Sequence, residues 1–285
     1  MMPDQRVGKG PDVFEQHGRT CPLCSGVQRA PVIEILPWKV VECPRCRLGF
    51  LDPPLSREQA AVLYDESFYY ENRMVVDPHE VHNAIAAQRP RVRYLQRFRR
   101  GGHLLEIGAG MGYLLAAARD AGFTVKGLEL SPWAAGQADA VLGLDVAVGG
   151  AESALFAAAS FDIIVMWHVI EHFIDPLENL RRIRSWLRPN GVLVLETRNY
   201  TGYDARRLGS DWNGWSLPYH LWHFSPRSLR GALKAAGFGR VRVRTDHSAV
   251  IKRRLKRLPL FSVLRNPISR IFSGSNIRGI GWTGD

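Results

Sequence analysis

A chain of 285 residues, 46% of them hydrophobic, is long enough to bury a full core and to hold one large domain with a smaller one beside it. No stretch reaches the roughly 18 apolar residues of a membrane span, and the opening MMPDQRVGKGPD lacks the apolar run of a secretory leader, so the expected location is the cytoplasm. A formal net charge of +11 points to an anionic neighbour: nucleic acid, a phosphorylated substrate, or the acidic inner face of a membrane.

Residues 1–18 are polar, carry no period and read as a loose tail. Cys21, Cys24, Cys43 and Cys46 are all the cysteines of the chain, and they form two C-x-x-C pairs 18 residues apart, the spacing of a four-thiolate zinc site. Two disulfides fit poorly with a chain lacking a secretory leader, and a redox C-x-x-C does not normally come twice. Four sulfurs close the shell around an ion and leave no position for water, so the expected Zn2+ is structural. Residues 19–52 are too few to bury a core of their own, and metal binding is expected to supply the folding energy of this ribbon, on the order of 10 kcal/mol.

Residues 53–100 read as a helical connector or lid. Ser56 caps a helix running on through 60–64, an aromatic knot follows at Phe68, Tyr69 and Tyr70, and a helix over 79–100 is expected to be interrupted at Pro90. Arg89, Arg91, Arg93, Arg97, Arg99 and Arg100 give that helix a basic face, open to solvent or to an anion.

Residues 103–107 are a short apolar run, Gly108, Gly110 and Gly112 supply a turn, 113–121 is an Ala/Leu-rich helix, and 124–128 is a second strand ending at Glu129. Strand, glycine turn, helix and strand make the first half of a nucleotide-binding βαβ unit. A ligand lying across the strand ends meets backbone there, the free N–H groups of the helix N-terminus favour an anion, and an acid about 20 residues on can take both ribose hydroxyls. A dinucleotide fingerprint would need glycine where Tyr113 or Leu115 stands.

The actual spacing, Glu106-x-Gly108-x-Gly110-x-Gly112, resembles motif I of the class I S-adenosylmethionine (SAM)-dependent methyltransferases. Residues 161–176, an apolar strand and the loop after it, and 187–197, a helix end, a Pro/Gly turn at 188–191 and another strand, are similar to that superfamily's fourth and fifth strand segments. The resemblance implies an α/β, Rossmann-like sheet with helices on both faces over 101–246, and S-adenosyl-L-methionine as cofactor. It implies a cofactor site of Glu106, Gly108, Ala109, Gly110, Gly112, Glu129, Leu130, Glu152 and Trp167. Glu152 departs from the pattern: the family's adenine-contacting acid follows the third strand (145–148), where this chain has Gly149 and Gly150. Ser131 and Pro132 open a helix directly after Glu129, and Trp133 either packs in the core or lies on the ligand. The ribbon and the run after it look like those of bacterial zinc-ribbon methyltransferases of glycan and natural-product pathways, which implies a lid role for Tyr69 and Tyr70 beside plain packing.

Methyl transfer from a sulfonium needs no acid for the leaving group; an oxygen acceptor needs a base. His168, Glu171 and His172 follow the fourth strand at the carboxyl edge of the sheet, where ligands bind, and His220 lies in the P-x-H-L-x-x-F-S-P element similar to that of the same enzymes. Three roles stand open: His172 or His220 as base, the four residues as ligands of a divalent cation, or capping and hydrogen bonding. The cation reading comes from a likeness to the E-x-x-E-H site of small-RNA 2′-O-methyltransferases, whose first glutamate is His168 here. The aromatic segment 199–224 suits either a ring-bearing acceptor or a hydrophobic plug.

Residues 225–237 read as a capped amphipathic helix, 241–244 as a half-exposed strand, and 247–285 as a basic amphipathic or disordered tail, able to touch anionic lipid. A last strand, if there is one, would be short and near 277–282. The leading expectation is a methyltransferase for a small-molecule or glycan acceptor, at oxygen. The alternatives are an RNA methyltransferase using the ribbon and the basic surface, and a non-catalytic ribbon protein with a retired cofactor pocket.

Overall fold

The computed structural model describes residues 20–55, 59, 78–256 and 271–284. Residues 1–18, the helix opening at Ser56, the aromatic knot of Phe68, Tyr69 and Tyr70, and Leu258, Leu260, Phe261, Val263 and Leu264 of the expected tail lie outside the described residues. Among the described residues no helix is long and apolar enough to cross a membrane.

The N-terminal lobe is an antiparallel meander of β1 (Ala30–Ile35), β2 (Trp38–Glu42) and β3 (Gly49–Asp52), with Cys21 and Cys24 ahead of β1 and Cys43 and Cys46 in the turn between β2 and β3. Helix α1 (Pro78–Leu95) then leads into the main sheet. The elements that follow are β4 (Gly102–Ile107), α2 (Tyr113–Asp120), β5 (Phe123–Glu129), α3 (Pro132–Leu142), β6 (Val146–Val148), β7 (Phe161–Trp167), α4 (Pro176–Trp186) and β8 (Leu187–Arg198). The chain closes with α5 (Tyr203–Leu208), β9 (Trp222–His223), α6 (Pro226–Ala235), β10 (Arg240–His247), α7 (Ala249–Lys256) and β11 (Ser273–Trp282).

Seven strands form the main sheet in the order β10-β11-β8-β7-β4-β5-β6, and only β11 runs against the rest. Leu104 and Leu105 of β4 and Ile163 to Met166 of β7 are fully buried, as strands covered by helices on both faces must be. The order reverses between β7, β4 and β5, which opens a crevice at the carboxyl ends of these strands. Local chemistry sets the helix starts. Ser131 Oγ accepts the Ala134 N–H at 3.2 Å with Pro132 behind it, Asp175 caps α4, and Ser225 and Ser228 form a capping box on α6.

Three expectations are corrected. Pro90 does not interrupt its helix: α1 runs unbroken to Leu95. Pro90 is exposed, so the bond its ring nitrogen cannot make is lost on the solvent side, while buried Val92 and Leu95 keep the helix docked. The turn expected at 188–191 is absorbed into β8 as an irregular register against β7, which jumps from Phe161↔Leu187 to Ile163↔Val192.

The third concerns the tail expected over 247–285, whose described end is a strand of the main sheet. Residues 273–282 are the strand β11, wedged between β8 and β10, with Ile277 and Ile280 buried. The domain expected to stop at 246 therefore needs these residues to complete its sheet. Gly279 and Gly281 let this strand lie under Leu233 and Phe238, where added Cβ atoms would fall 3.0 Å and 2.7 Å from those side chains.

Candidate active site

The turn after β4 carries Gly108, Ala109, Gly110 and Gly112, and its amides are organised by β5: Gly108 and Ala109 donate to the Leu128 carbonyl at 2.8 Å and 3.2 Å. Gly108 has φ +71° and no room for a side chain, since a Cβ there would lie 2.5 Å from Val169 Cγ2. Gly112 has φ +75° and is closed off in the same way by Leu144. Two of the three glycines are thus required by backbone conformation and by protein packing, before any ligand is considered. The Gly108–Val169 contact also presses the glycine turn against the loop that follows β7.

Glu129 ends β5, with Oε2 accepting the Gly110 N–H at 2.8 Å and Oε1 accepting the Ser131 N–H at 3.0 Å. Leu130 beside it is largely exposed, and Glu152 is exposed beyond β6. Glu106 at the end of β4 is buried, and its Oε2 has no partner among the described residues. Burial pushes its carboxyl well above the usual range, with Arg91 pulling the other way and Glu129 adding to the rise.

Trp167, at the end of β7, is half-buried between two guanidinium groups: Arg91 of α1 lies 4.8 Å from its ring and Arg278 of β11 5.4 Å. Arg278 also stacks on Tyr94 at 4.4 Å and donates through Nε to Glu196 at 3.1 Å. Sequence reasoning missed Arg278 and Glu196, because only the β8–β11 register places them opposite each other.

The loop after β7 brings His168, Glu171 and His172 together with His220. His168 has φ +57°, and its ring bridges two acids, with Nδ1 3.2 Å from Glu171 Oε1 and Nε2 3.7 Å from Glu196 Oε1. The rings of His172 and His220 stand 4.9 Å apart. His172 Nδ1–H donates to the Tyr219 carbonyl and His220 Nδ1–H to the Gly214 carbonyl, each at 2.9 Å. A carbonyl accepts only, so the proton of each neutral ring sits on Nδ1 and the basic lone pair on Nε2.

Burial lowers both histidines, His220 to about 4 with a further push from the His172 charge, so both rings are neutral near pH 7. Glu171 is buried. Burial raises its carboxyl, but the His168 hydrogen bond and the surrounding imidazoles outweigh that and hold it down to about 2. Its Oε2 has no partner among the described residues. One donor atom each from Glu171, His172 and His220 falls within 4.8 Å of the others.

The aromatic segment resolves largely as core. Tyr200, Trp212 and Trp215 pack with Val40 against Ile33 and Ile35 of the N-terminal lobe, and Trp222 and Phe224 are buried as well. These rings are buried and hold the lobe to the sheet.

In the lobe, the four sulfurs lie within 4.8 Å of one another, with Cys21–Cys46 and Cys24–Cys43 both at 3.5 Å. A disulfide would put a pair at about 2.05 Å. The edge of a tetrahedron with metal–sulfur bonds of about 2.3 Å is about 3.8 Å, so the donor set fits Zn2+. Each pair sits in a tight knuckle, with Ser25 N–H on the Cys21 carbonyl and Arg47 N–H on the Cys43 carbonyl, both at 2.8 Å.

The family described as Methyltransferase domain matches residues 79–243. A ubiquinone biosynthesis O-methyltransferase of Azorhizobium caulinodans is 30% identical over 150 residues, 49% of this chain and 59% of that protein. A tRNA U34 carboxymethyltransferase of Desulfotalea psychrophila is 28% identical over 52% of this chain and 48% of that one. The chain thus spans between about half and three fifths of the length of these curated relatives. Among solved structures, a SAM dependent methyltransferase from Archaeoglobus fulgidus superposes with a TM-score of 0.55 at 19% identity, covering 76% of this chain and all of that one.

Proposed function

The chain belongs to this methyltransferase-domain family, a SAM-dependent class, and from that premise we propose that it methylates an oxygen of a small-molecule or glycan acceptor. The observation that carries the proposal is the His172–His220 pair, two neutral imidazoles with fixed tautomers, His172 on the loop pressed against the glycine turn and His220 packed beside it from the segment before β9.

In this reading Gly108, Ala109, Gly110 and Gly112 present backbone to the cofactor, Glu129 takes the ribose hydroxyls, and Leu130 and Trp167 flank the nucleoside and methionine parts. Glu106, buried with an oxygen in search of a donor, suits the ammonium of the methionine part. Glu152 is the acid available on the adenine side. The bound cofactor supplies an electrophilic methyl on a sulfonium, and the thioether leaves without a proton. The acceptor hydroxyl loses its proton to Nε2 of His172 or His220 as its oxygen takes the methyl. Glu171 and His168 act behind the pair: the carboxylate favours the imidazolium that forms. Cys21, Cys24, Cys43 and Cys46 hold a structural Zn2+.

A second reading assigns Glu171, His172 and His220 to a divalent cation that lowers the acceptor's pKa, and the clustering of their donor atoms with an unpartnered Glu171 oxygen favours it. An RNA acceptor is the competing substrate class, supported by the tRNA-modifying relative and the net charge, and steeply salt-dependent RNA binding would favour it.

The test is turnover and S-adenosylhomocysteine (SAH) affinity of His172→Ala and His220→Ala, with and without added Mg2+, Mn2+ or Zn2+. Turnover is expected to fall by about 10^2-fold or more while SAH affinity holds. Full turnover in both variants would remove the base, and activity gained only on metal addition to the parent would select the cation reading.

A further inference from the structure

The small sheet of the cysteine lobe has four strands, and the fourth does not belong to the lobe's own sequence. Its order is β1-β2-β3-β9, and β9 is Trp222–His223, which begins two residues after His220. Gly49 pairs with His223 and Phe50 with Trp222, and the Leu51 N–H donates to the Leu221 carbonyl at 3.0 Å. A Cβ on Gly49 would fall 2.8 Å from His223 Cβ, so the two backbones meet with nothing between them.

The same segment is tied to the other imidazole. The Leu221 N–H donates to the Glu171 carbonyl at 3.0 Å, and Trp222 Nε1–H donates to the Phe173 carbonyl at 2.6 Å. Residues 219–224 therefore span from the cysteine lobe to the His172 loop.

The second knuckle supplies the side-chain ties. Glu42 and Arg47 bracket Cys43 and Cys46 and pair with each other at 3.1 Å. The Tyr200 hydroxyl shares its one proton between Glu42, by a short bond, and the Arg47 carbonyl at 3.1 Å, and that carbonyl also accepts from the Ser225 hydroxyl at 2.9 Å. Tyr200 and Ser225 stand at the two ends of the aromatic segment, so the knuckle grips both. The glycine turn and Glu129, in contrast, are bonded to β5 and to each other, with none of those bonds reaching the lobe.

We propose that the cysteine lobe is the positioning element of the acceptor side: metal at the four sulfurs fixes the second knuckle, the knuckle fixes β3 against β9, and β9 holds His220 against His172, leaving the cofactor side untouched. Glu42, Arg47, Tyr200 and Ser225 are then positioning residues acting through His220. The proposal rests on the assignment of His172 and His220 to the acceptor for its catalytic consequence, but not for the coupling itself.

The experiment is amide hydrogen exchange on the full chain, with its metal in place, after chelation, and after restoring Zn2+. SAH affinity is measured by calorimetry in the same samples. On metal removal, amides of 49–51 and 219–224 should exchange about tenfold faster or more, while the β4 and β7 amides and SAH affinity move by less than about twofold. Restored Zn2+ should reverse the change.

Unchanged protection at 219–224 overturns the proposal. So does a loss spread over β4 and β7 with loss of SAH binding, because the lobe would then support the whole fold. The double variant Tyr200→Phe/Ser225→Ala keeps all four cysteines; with zinc content and SAH affinity unchanged it should loosen 219–224 and raise the acceptor KM, and parent-like exchange there also overturns the proposal. Exchange is read without an acceptor. A coupled loop with full turnover in the histidine variants would sink the base assignment and leave the coupling standing.

Discussion

Replacing Gly108 by alanine tests how the glycine turn is held. At φ +71° an L side chain costs about 1–2 kcal/mol in backbone strain. The new Cβ would also lie 2.5 Å from Val169 Cγ2, against an ordinary contact near 3.8 Å, and overpacking of that kind costs about 1–3 kcal/mol. Gly108→Ala should therefore lose about 2–5 kcal/mol of unfolding free energy, a large share of a typical domain's total. Val169→Ala removes Cγ2 and leaves Val169 Cβ at 3.8 Å, so in that background the steric part vanishes and the strain remains. The double variant should be more stable than the sum of the single effects by about 1–3 kcal/mol, read from urea unfolding of all four proteins. Additive effects within about 0.5 kcal/mol would refute the contact between the turn and the loop after β7.

Ending the chain at residue 270 should abolish cooperative unfolding: it strips β11 from between β8 and β10 and removes buried Ile277 and Ile280, each worth about 2–5 kcal/mol, and a folded truncation by circular dichroism would contradict the sheet order. Stability should fall on acidification. His220 and His223 are lowered from 6.5 to about 4 and about 3, so below pH 6.5 the unfolded chain takes protons that the folded one refuses, and each group removes about 1.4 kcal/mol per pH unit down to its folded value. His223 faces Glu171 and His220, is buried, and has no partner on either ring nitrogen among the described residues; His223→Leu should flatten the slope between pH 6.5 and 4 in urea titrations, and an identical slope would exclude it as a source. Glu129→Gln faces the Gly110 or Ser131 amide with a second donor, and SAH affinity measured by calorimetry should drop by about tenfold or more; parent-like affinity would remove Glu129 from the site.

The parallel half of the sheet and the cysteine centre were legible in the residues themselves. Ile163 to Met166 must be a strand buried on both faces, the Gly108–Gly112 spacing permits little besides a tight turn, and four thiols in two knuckles have few uses other than a metal. These signals are runs or fixed spacings within a short stretch of chain, and each survives without knowing what packs against it. What the chain does at its end is not local. The run 273–282 holds three glycines and by itself admits either a tail or a short last strand near 277–282; it is a strand because β8 and β10 offer it hydrogen bonds on both sides and because its glycines fit beneath Leu233 and Phe238. The partnership of β9 with the lobe, and the grip of Arg91 and Arg278 on Trp167, pair residues far apart in the chain, which no period or spacing encodes. Long-range strand pairing and side-chain stacking depend on where other elements come to rest, and only the folded chain decides that.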